Sequence, residues 1–410
     1  MLRAVRTVVR CGRLVDVGSG EVLADRAIVV EGERVAAVLG PGDSPAPSDR
    51  DIDLSAHTVL PGLIDCHAHL VGEVESGHGY GHLVRRSSAQ EALTGVRNAR
   101  DTVAAGFTTV RDVGTHHAFT DLALRDAIDA GWTLGPRMRC AGAYVTAPGG
   151  GGDITGLPPE TPIPAELRVG VASTPDEVGA ACRRILGAGA DFIKIIATGA
   201  VLTSGTEPGA PELSQDAIRA AVEAADEAGT HVASHAHGAE GIKRSVRAGV
   251  RSVEHGSLID EEAIEMLAGT GTFLVADVYC GDWIAERGRR DGWSDEVFRK
   301  NEETTEAQRR GFERAVRAGV RIAYGTDSGV YPHALAARQL GVMVRHGMTP
   351  MDAIRSATTV ASDLLGWDEV GALATGRYAD LVATREDPLE DVTALERLDV
   401  VMKGGEVLRG

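Results

Sequence analysis

Phe192-Ile193-Lys194-Ile195-Ile196, then the helical segment Glu212-Leu213-Ser214-Gln215-Asp216-Ala217-Ile218-Arg219-Ala220-Ala221-Val222, then His231-Val232-Ala233-Ser234-His235: this is the stretch whose reading decides the fold. Apolar runs of strand length alternate with segments of helical periodicity, the pattern of βα units around a parallel sheet. The alternation continues outward on both sides. Upstream lie Gly62-Leu63-Ile64-Asp65, Thr108-Thr109-Val110-Arg111 and Met138-Arg139-Cys140-Ala141; downstream lie Ser252-Val253-Glu254-His255, Phe273-Leu274-Val275-Ala276 and Arg321-Ile322-Ala323-Tyr324. Eight such strands with helices between them favour an α/β fold of the (β/α)8, TIM-like barrel type over an open doubly wound sheet. Ser214 is placed to cap its helix. Ala-Gly pairs such as Ala105-Gly106 and Ala248-Gly249 suit left-handed C-caps that end one helix and launch the next strand.

The two ends of the chain read differently. Val8-Val9-Arg10-Cys11, Arg13-Leu14-Val15-Asp16, Ala27-Ile28-Val29-Val30 and Arg34-Val35-Ala36-Ala37-Val38 are short strands separated by turns, and Ala379–Ala383 and Val400–Leu408 resume that character after the helical middle. This predicts a small β-sandwich domain built from both termini, residues 1–59 plus 368–410, beside a barrel over residues 60–367.

Composition narrows the function classes. At 43% hydrophobic and 25% charged, 410 residues can bury a large core. A net charge of −17 argues against a nucleic-acid partner, which demands clustered Lys and Arg. No apolar run approaches the roughly 18 residues that span a bilayer, and the N-terminal residues lack a signal-peptide core, so a cytoplasmic protein with no membrane partner is expected. Cys11, Cys66, Cys140, Cys182 and Cys280 are scattered and form no C-x-x-C pair, which suggests reduced, buried thiols. Cys66 reads as a small core residue rather than a nucleophile.

Chemistry concentrates at the strand ends. His67 and His69 flank Ala68 after an apolar strand, so in extended geometry both imidazoles point the same way and can chelate one cation. His235, His255 and Asp327 each end another strand of the expected barrel, at the mouth where barrel active sites assemble. Lys194 sits inside an apolar run, where a charged amine pays heavily for lost water unless it is paired or neutral. Pro148-Gly149-Gly150-Gly151-Gly152-Asp153 fits neither phosphate-binding glycine spacing and reads as a flexible substrate loop ending in Asp153. His78, His82, His116 and His117 read as lid or surface residues.

Leu60-Pro61-Gly62-Leu63-Ile64-Asp65-Cys66-His67-Ala68-His69, Ile193-Lys194-Ile195, His235-Ala236-His237-Gly238, Glu254-His255 and Gly325-Thr326-Asp327-Ser328-Gly329 together resemble the signature set of the amidohydrolase superfamily. Ala197-Thr198-Gly199, Glu207-Pro208-Gly209, Val330-Tyr331-Pro332-His333 and the stretch from Gly371 to Leu381 are similar to its prolidase and Xaa-Arg/Lys dipeptidase branch, near the imidazolonepropionase-like group. The resemblance implies a metal-dependent hydrolase of carbon–nitrogen bonds. It implies two divalent cations, zinc by ligand type: one held by His67, His69 and Asp327, the second by His235 and His255, bridged by Lys194 carrying a CO2-derived carbamate. Asp327 would then serve as the catalytic base, and His237 would stabilise the oxyanion.

His237, His333, Tyr279, Asp277 and Asp153 are the expected substrate contacts. Asp277 and Asp282 follow the seventh strand, where acidic groups could meet a cationic side chain. Relatives often carry Gly-Gly-His where this chain has Gly149-Gly150-Gly151-Gly152-Asp153. The substrate is expected to be a dipeptide of the Xaa-Arg, Xaa-Lys or Xaa-Pro type, with a non-peptide amide, cyclic imide, urea or carbamate as the alternative and a non-catalytic scaffold as a third reading. A homo-oligomer is expected.

Overall fold

The computed structural model describes residues 5–72 and 79–410, so His78 lies outside the described residues. The chain opens with β1 (Arg6–Asp16), β2 (Glu21–Glu31), β3 (Arg34–Leu39) and β4 (Arg50–Pro61). β1 pairs antiparallel with β2 and parallel with β4. Gly62 alone separates β4 from β5 (Leu63–Ala68). A Cβ at Gly62 would lie 2.2 Å from Thr108 Oγ1 and 3.0 Å from Thr108 Cβ, so only glycine lets the chain pass this close to its neighbour.

From β5 the chain alternates through α1 (Ser88–Ala104), β6 (Phe107–Asp112), α2 (Thr120–Asp129), β7 (Arg137–Cys140), β8 (Tyr144–Val145), α3 (Pro175–Gly187), β9 (Ile193–Ile196) and α4 (Gln215–Glu227). It continues through β10 (Val232–Gly238), α5 (Ala239–Ala248), β11 (Ser252–Leu258), α6 (Glu261–Thr270) and β12 (Phe273–Val275), then α7 (Cys280–Asp291) and α8 (Asp295–Arg317). The local signals act as expected: Ser214 Oγ accepts from Ala217 N at 3.2 Å, and α5 ends on Gly249 with φ 97°.

β5, β6 and β7 form one parallel ladder, and β8 to β12 form another. Two seams join them. Asp191 N donates to Cys140 O at 2.8 Å, tying the start of β9 to the end of β7. On the other side, residues 321–324 accept from Leu274 N (2.9 Å, to Arg321 O) and from Cys66 N (2.8 Å, to Tyr324 O), and Ala323 N donates back to Leu274 O. The expected eighth strand is therefore a linker bonded to both neighbours rather than a full ladder. It is cut short because Thr326 N and Asp327 N both turn onto His67 O and Asp327 takes a left-handed backbone. The two-residue β8, paired with β9, is an element that periodicity did not reveal.

The chain closes with β13 (Leu381–Thr384), β14 (Val400–Lys403) and β15 (Glu406–Arg409), which join β4 to complete one seven-stranded sheet from both termini. Hydrogen bonds from Val35 N to Arg377 O and from Gly376 N to Val35 O bring the far edge, β3, back to the approach to β13. The sheet thus curls around a separate core that includes Val9, Ile28, Val59, Leu381 and Met402. No described helix is long and apolar enough to cross a membrane.

Candidate metal centre

β5 delivers the first pair of ligating side chains. His67 and His69 share one side of the extended chain, and each spends Nδ1 on a fixed partner: Glu254 Oε2 at 2.7 Å for His67 and Gly114 O at 2.9 Å for His69. A proton held at Nδ1 leaves Nε2 with its lone pair toward the cavity. Those two Nε2 atoms lie 3.4 and 3.3 Å from Asp327 Oδ1. Ligands about 2.0–2.1 Å from a tetrahedral zinc would be about 3.3–3.4 Å apart, so each imidazole already stands from Asp327 at the edge length a cation requires.

β10 and β11 deliver the second group. His235 and His237 alternate along β10, their ring centroids 4.5 and 4.7 Å from His255. His255 donates from Nδ1 to Asp277 Oδ1 at 3.0 Å, and Gln308 Nε2 holds the same oxygen at 2.8 Å. His237 Nδ1 meets Ser257 Oγ at 2.8 Å. The ligand atoms of His67, His69 and Asp327, of His235, His237 and His255, and of His255, Asp277 and Asp327 form three groups, each within 4.8 Å and able to hold a cation. His255 (φ 68°) and Asp327 (φ 59°) are both left-handed. Such backbone costs of order 1–3 kcal/mol and persists where surrounding contacts enforce it, as at a binding site.

Lys194 lies between the groups, 2% exposed, and its Nζ has no hydrogen-bond partner among the described residues. Burial pushes its amine down to about 8, against the opposing pull of Glu254. Burial likewise drives His237 to about 3 and His235 well below the usual range. Asp327 behaves oppositely: burial alone would raise it, yet the His67 and His69 rings beside it hold its carboxyl well below the carboxylate range. Beneath the site, Glu254 is also pressed upward by burial but held low by Arg111, whose Nη2 lies 2.8 Å from both carboxylate oxygens, and by His67. A fixed anion therefore sits behind the first histidine.

A cavity of about 140 Å³ opens over these groups at the C-terminal ends of the strands. One wall is apolar: Ile196, Val201, Leu202, Ile284 and Val330. Another is the polar face of α8, where Asn301, Thr304, Thr305 and Gln308 recur at helical spacing.

The sequence profile of the amidohydrolase family matches residues 58–408, which covers the barrel and most of the C-terminal strands. The chain belongs to the amidohydrolase family. It is 30% identical to the ochratoxinase of Aspergillus niger over 98% of this chain and 87% of that protein. Among solved structures it is similar to a Xaa-Pro dipeptidase with methionine bound in the active site (36% identity, TM-score 0.91, covering 99% of this chain and 100% of that one). It is also similar to a prolidase complexed with N-methylphosphonate-L-proline (30% identity, TM-score 0.90, 98% and 99% covered).

In this amidohydrolase the structure gathers His67, His69, Lys194, His235, His237, His255, Asp277 and Asp327 around one cavity. It does not bring Asp153, His333 or Tyr279 to the wall. Asp153 is turned inward, bound by Gly149 N, Ile154 N and Arg168 at 2.8–2.9 Å. His333 is buried against Thr102, and Tyr279 faces Tyr331 and Arg338. In the glycine loop Pro148 and Gly149 are exposed, and Gly150 to Asp153 are buried. Gly151 N donates to Glu212 at 2.8 Å, and a Cβ on Gly152 would lie 2.8 Å from Ile196, so its glycines permit close packing beside the cavity.

His116, read from the sequence as a lid or surface residue, lines the cavity from the loop after β6, and Tyr144, which the sequence reading did not single out, lines it from β8. Tyr144 Oη donates to Gly114 O, beside His69. The α8 residues did leave a signal: four polar side chains at i, i+3, i+4 and i+7 on a buried face.

Proposed function

We propose that this amidohydrolase holds two divalent zinc ions and hydrolyses the amide bond of a small substrate whose leaving or acyl group is apolar and uncharged, with Xaa-Pro dipeptides the leading class. The observation that carries the metal reading is Lys194. A buried amine without a partner among the described residues, beside the five histidines and two carboxylates that could hold a cation, is costly unless it is neutral and used. Adding its nitrogen to CO2 with loss of one proton gives a carbamate, whose two oxygens replace a buried cationic donor with an anionic acceptor suited to two cations. His67, His69 and Asp327 would hold one, His235 and His255 the other, with the Lys194 carbamate between them.

When bound, the two cations supply hydroxide at neutral pH and polarise the scissile carbonyl. Asp327, beside His67 and His69, takes the proton of the attacking water and returns it to the departing nitrogen. His237, held at Nδ1 by Ser257, directs Nε2 at the developing oxyanion. Glu254 fixes the His67 ring, and Asp277 fixes that of His255. Free, buried cysteines agree with a cytoplasmic setting.

The wall selects against Xaa-Arg and Xaa-Lys. The acidic groups that might meet a cationic side chain are already engaged, Asp277 with His255 and Gln308, Asp282 with Arg309 at 2.6 Å. The apolar wall also favours a second reading, a non-peptide amide with an aromatic or aliphatic acyl group. Purified enzyme assayed on Xaa-Pro, Xaa-Arg and Xaa-Lys dipeptides beside N-acyl amino acids and phenylureas tests both. Xaa-Pro should exceed Xaa-Arg in kcat/KM by about 10²-fold or more, since an unpaired charge would have to enter the wall. Turnover confined to non-peptides would replace the dipeptide reading with the second, and preference for Arg or Lys would refute both.

A further inference from the structure

A second cavity, of about 420 Å³, lies at the opposite mouth of the barrel, where the chain enters β9, β10 and β11. Its wall includes Arg111, Arg139 and Arg251, with His231 between them, and Asp191 as the one carboxylate. In a chain of net charge −17 this is a local reversal of sign. The carboxylates beside it are each shared between two arginines: Asp191 serves Arg125 at 2.9 Å, Arg139 at 3.2 Å and Cys140 N at 2.8 Å, and Asp363 lies 3.7 Å from Arg251 while also pairing with Arg321. Both guanidinium groups lie beside aromatic rings, that of Arg139 4.2 Å from the Trp367 ring centre and that of Arg251 5.7 Å from the Phe273 ring centre. Arg139 donates to protein only through Nη1 among the described residues. Arg251 uses Nε and Nη2 on the carbonyls of Leu364 and Asp363, which leaves Nη1. His231 stacks on Phe192 at 5.5 Å, and its Nε2 is buried with no hydrogen-bond partner.

We propose that this cavity is a binding site for a compact anion carrying two or more negative charges, a phosphate ester or a small dicarboxylate, held by Arg139 and Arg251. Rigid guanidinium forks with unused donors match the paired oxygens of such an anion. The cavity is many times larger than a single ion, which leaves room for the organic part. Burial, reinforced by Arg111, lowers His231 to about 3, so the ring adds no positive charge to this wall. The site is separate from the metal centre, since Arg111 in its wall faces Glu254 on the far side and is spent on that carboxylate, Ser252 and Cys66 O.

The test is calorimetric titration of the metal-loaded full chain with inorganic phosphate, glycerol 3-phosphate and succinate at constant ionic strength, paired with thermal unfolding. Saturable one-to-one binding of at least one probe is expected, with a midpoint rise of about 3 °C at saturation. Arg139→Gln and Arg251→Gln should each weaken it about 10-fold or more, and Arg139→Lys, which keeps the charge but not the fork, should weaken it less than Arg139→Gln does. A response to the two phosphates alone assigns the phosphoryl class, and a response to succinate alone assigns the dicarboxylates. Absence of binding by all three probes, or binding that both glutamine variants leave unchanged, overturns the proposal; the latter would place the anion at the metal centre. Should Arg251→Gln fail to fold, Arg139→Gln decides the matter, because that side chain supports no backbone carbonyl.

Discussion

Single residues separate the chemistry from the scaffold. The Asp327 carboxylate accepts no backbone hydrogen bond among the described residues, so Asp327→Asn should leave the unfolding midpoint of the metal-free chain close to that of the metal-free parent while removing nearly all turnover, a loss of several powers of ten in kcat. An active asparagine variant would exclude the base role. His237→Phe keeps the ring volume but removes the oxyanion contact, and kcat should fall by about 10²-fold; a change confined to KM would assign the ring to substrate binding instead. These residues were legible because each ends a strand and because ligand types recur there in an ordered set. His116 and Tyr144 were not, since one sits in a loop and the other in a two-residue strand, neither long enough to show a period, and their approach to the site depends on tertiary packing. Asp153 misled for the reverse reason: a carboxylate beside glycines looks available, but backbone N–H groups and Arg168 enclose it.

At the scale of elements, the passage from β4 into β5 places the two leading histidines. Gly62→Ala would press its methyl on Thr108, whose Cβ at 3.0 Å cannot rotate away. Overpacking of this kind should cost about 1–3 kcal/mol in denaturant unfolding. Thr108→Ala in the same chain should restore part of it, and simple additivity of the two losses would place the strain elsewhere. Seven of the eight expected barrel strands are ladders because their apolar runs carry no conflicting demand. The run at residues 321–324 is equally apolar but must deliver Asp327 within three residues, and the turn this requires ends its pairing. What the sequence did not show of the glycine loop is its packing, since glycine signals freedom in the chain alone, whereas Thr146, Ile196 and Glu212 lie against Gly150 to Gly152.

For the whole molecule, both readings of the ends and of the middle came from periodicity, and the curled terminal sheet and the α/β body follow from it. What periodicity could not supply is the closure between residues 321–324 and β5, which depends on a handful of hydrogen bonds next to the metal ligands. Cations shared by His67, His69 and Asp327 would clamp that seam. Chelation should therefore abolish activity and lower the unfolding midpoint by several degrees, and zinc with bicarbonate should restore both. Equal midpoints with and without chelator would mean that no ion supports the seam.

The most direct measurement is elemental analysis of freshly purified, active protein beside its Lys194→Ala variant. Two divalent ions per chain are predicted for the parent, and loss of at least one of them together with activity for the variant. Active parent protein free of transition metal, or a variant that keeps both ions and full turnover, would contradict the account.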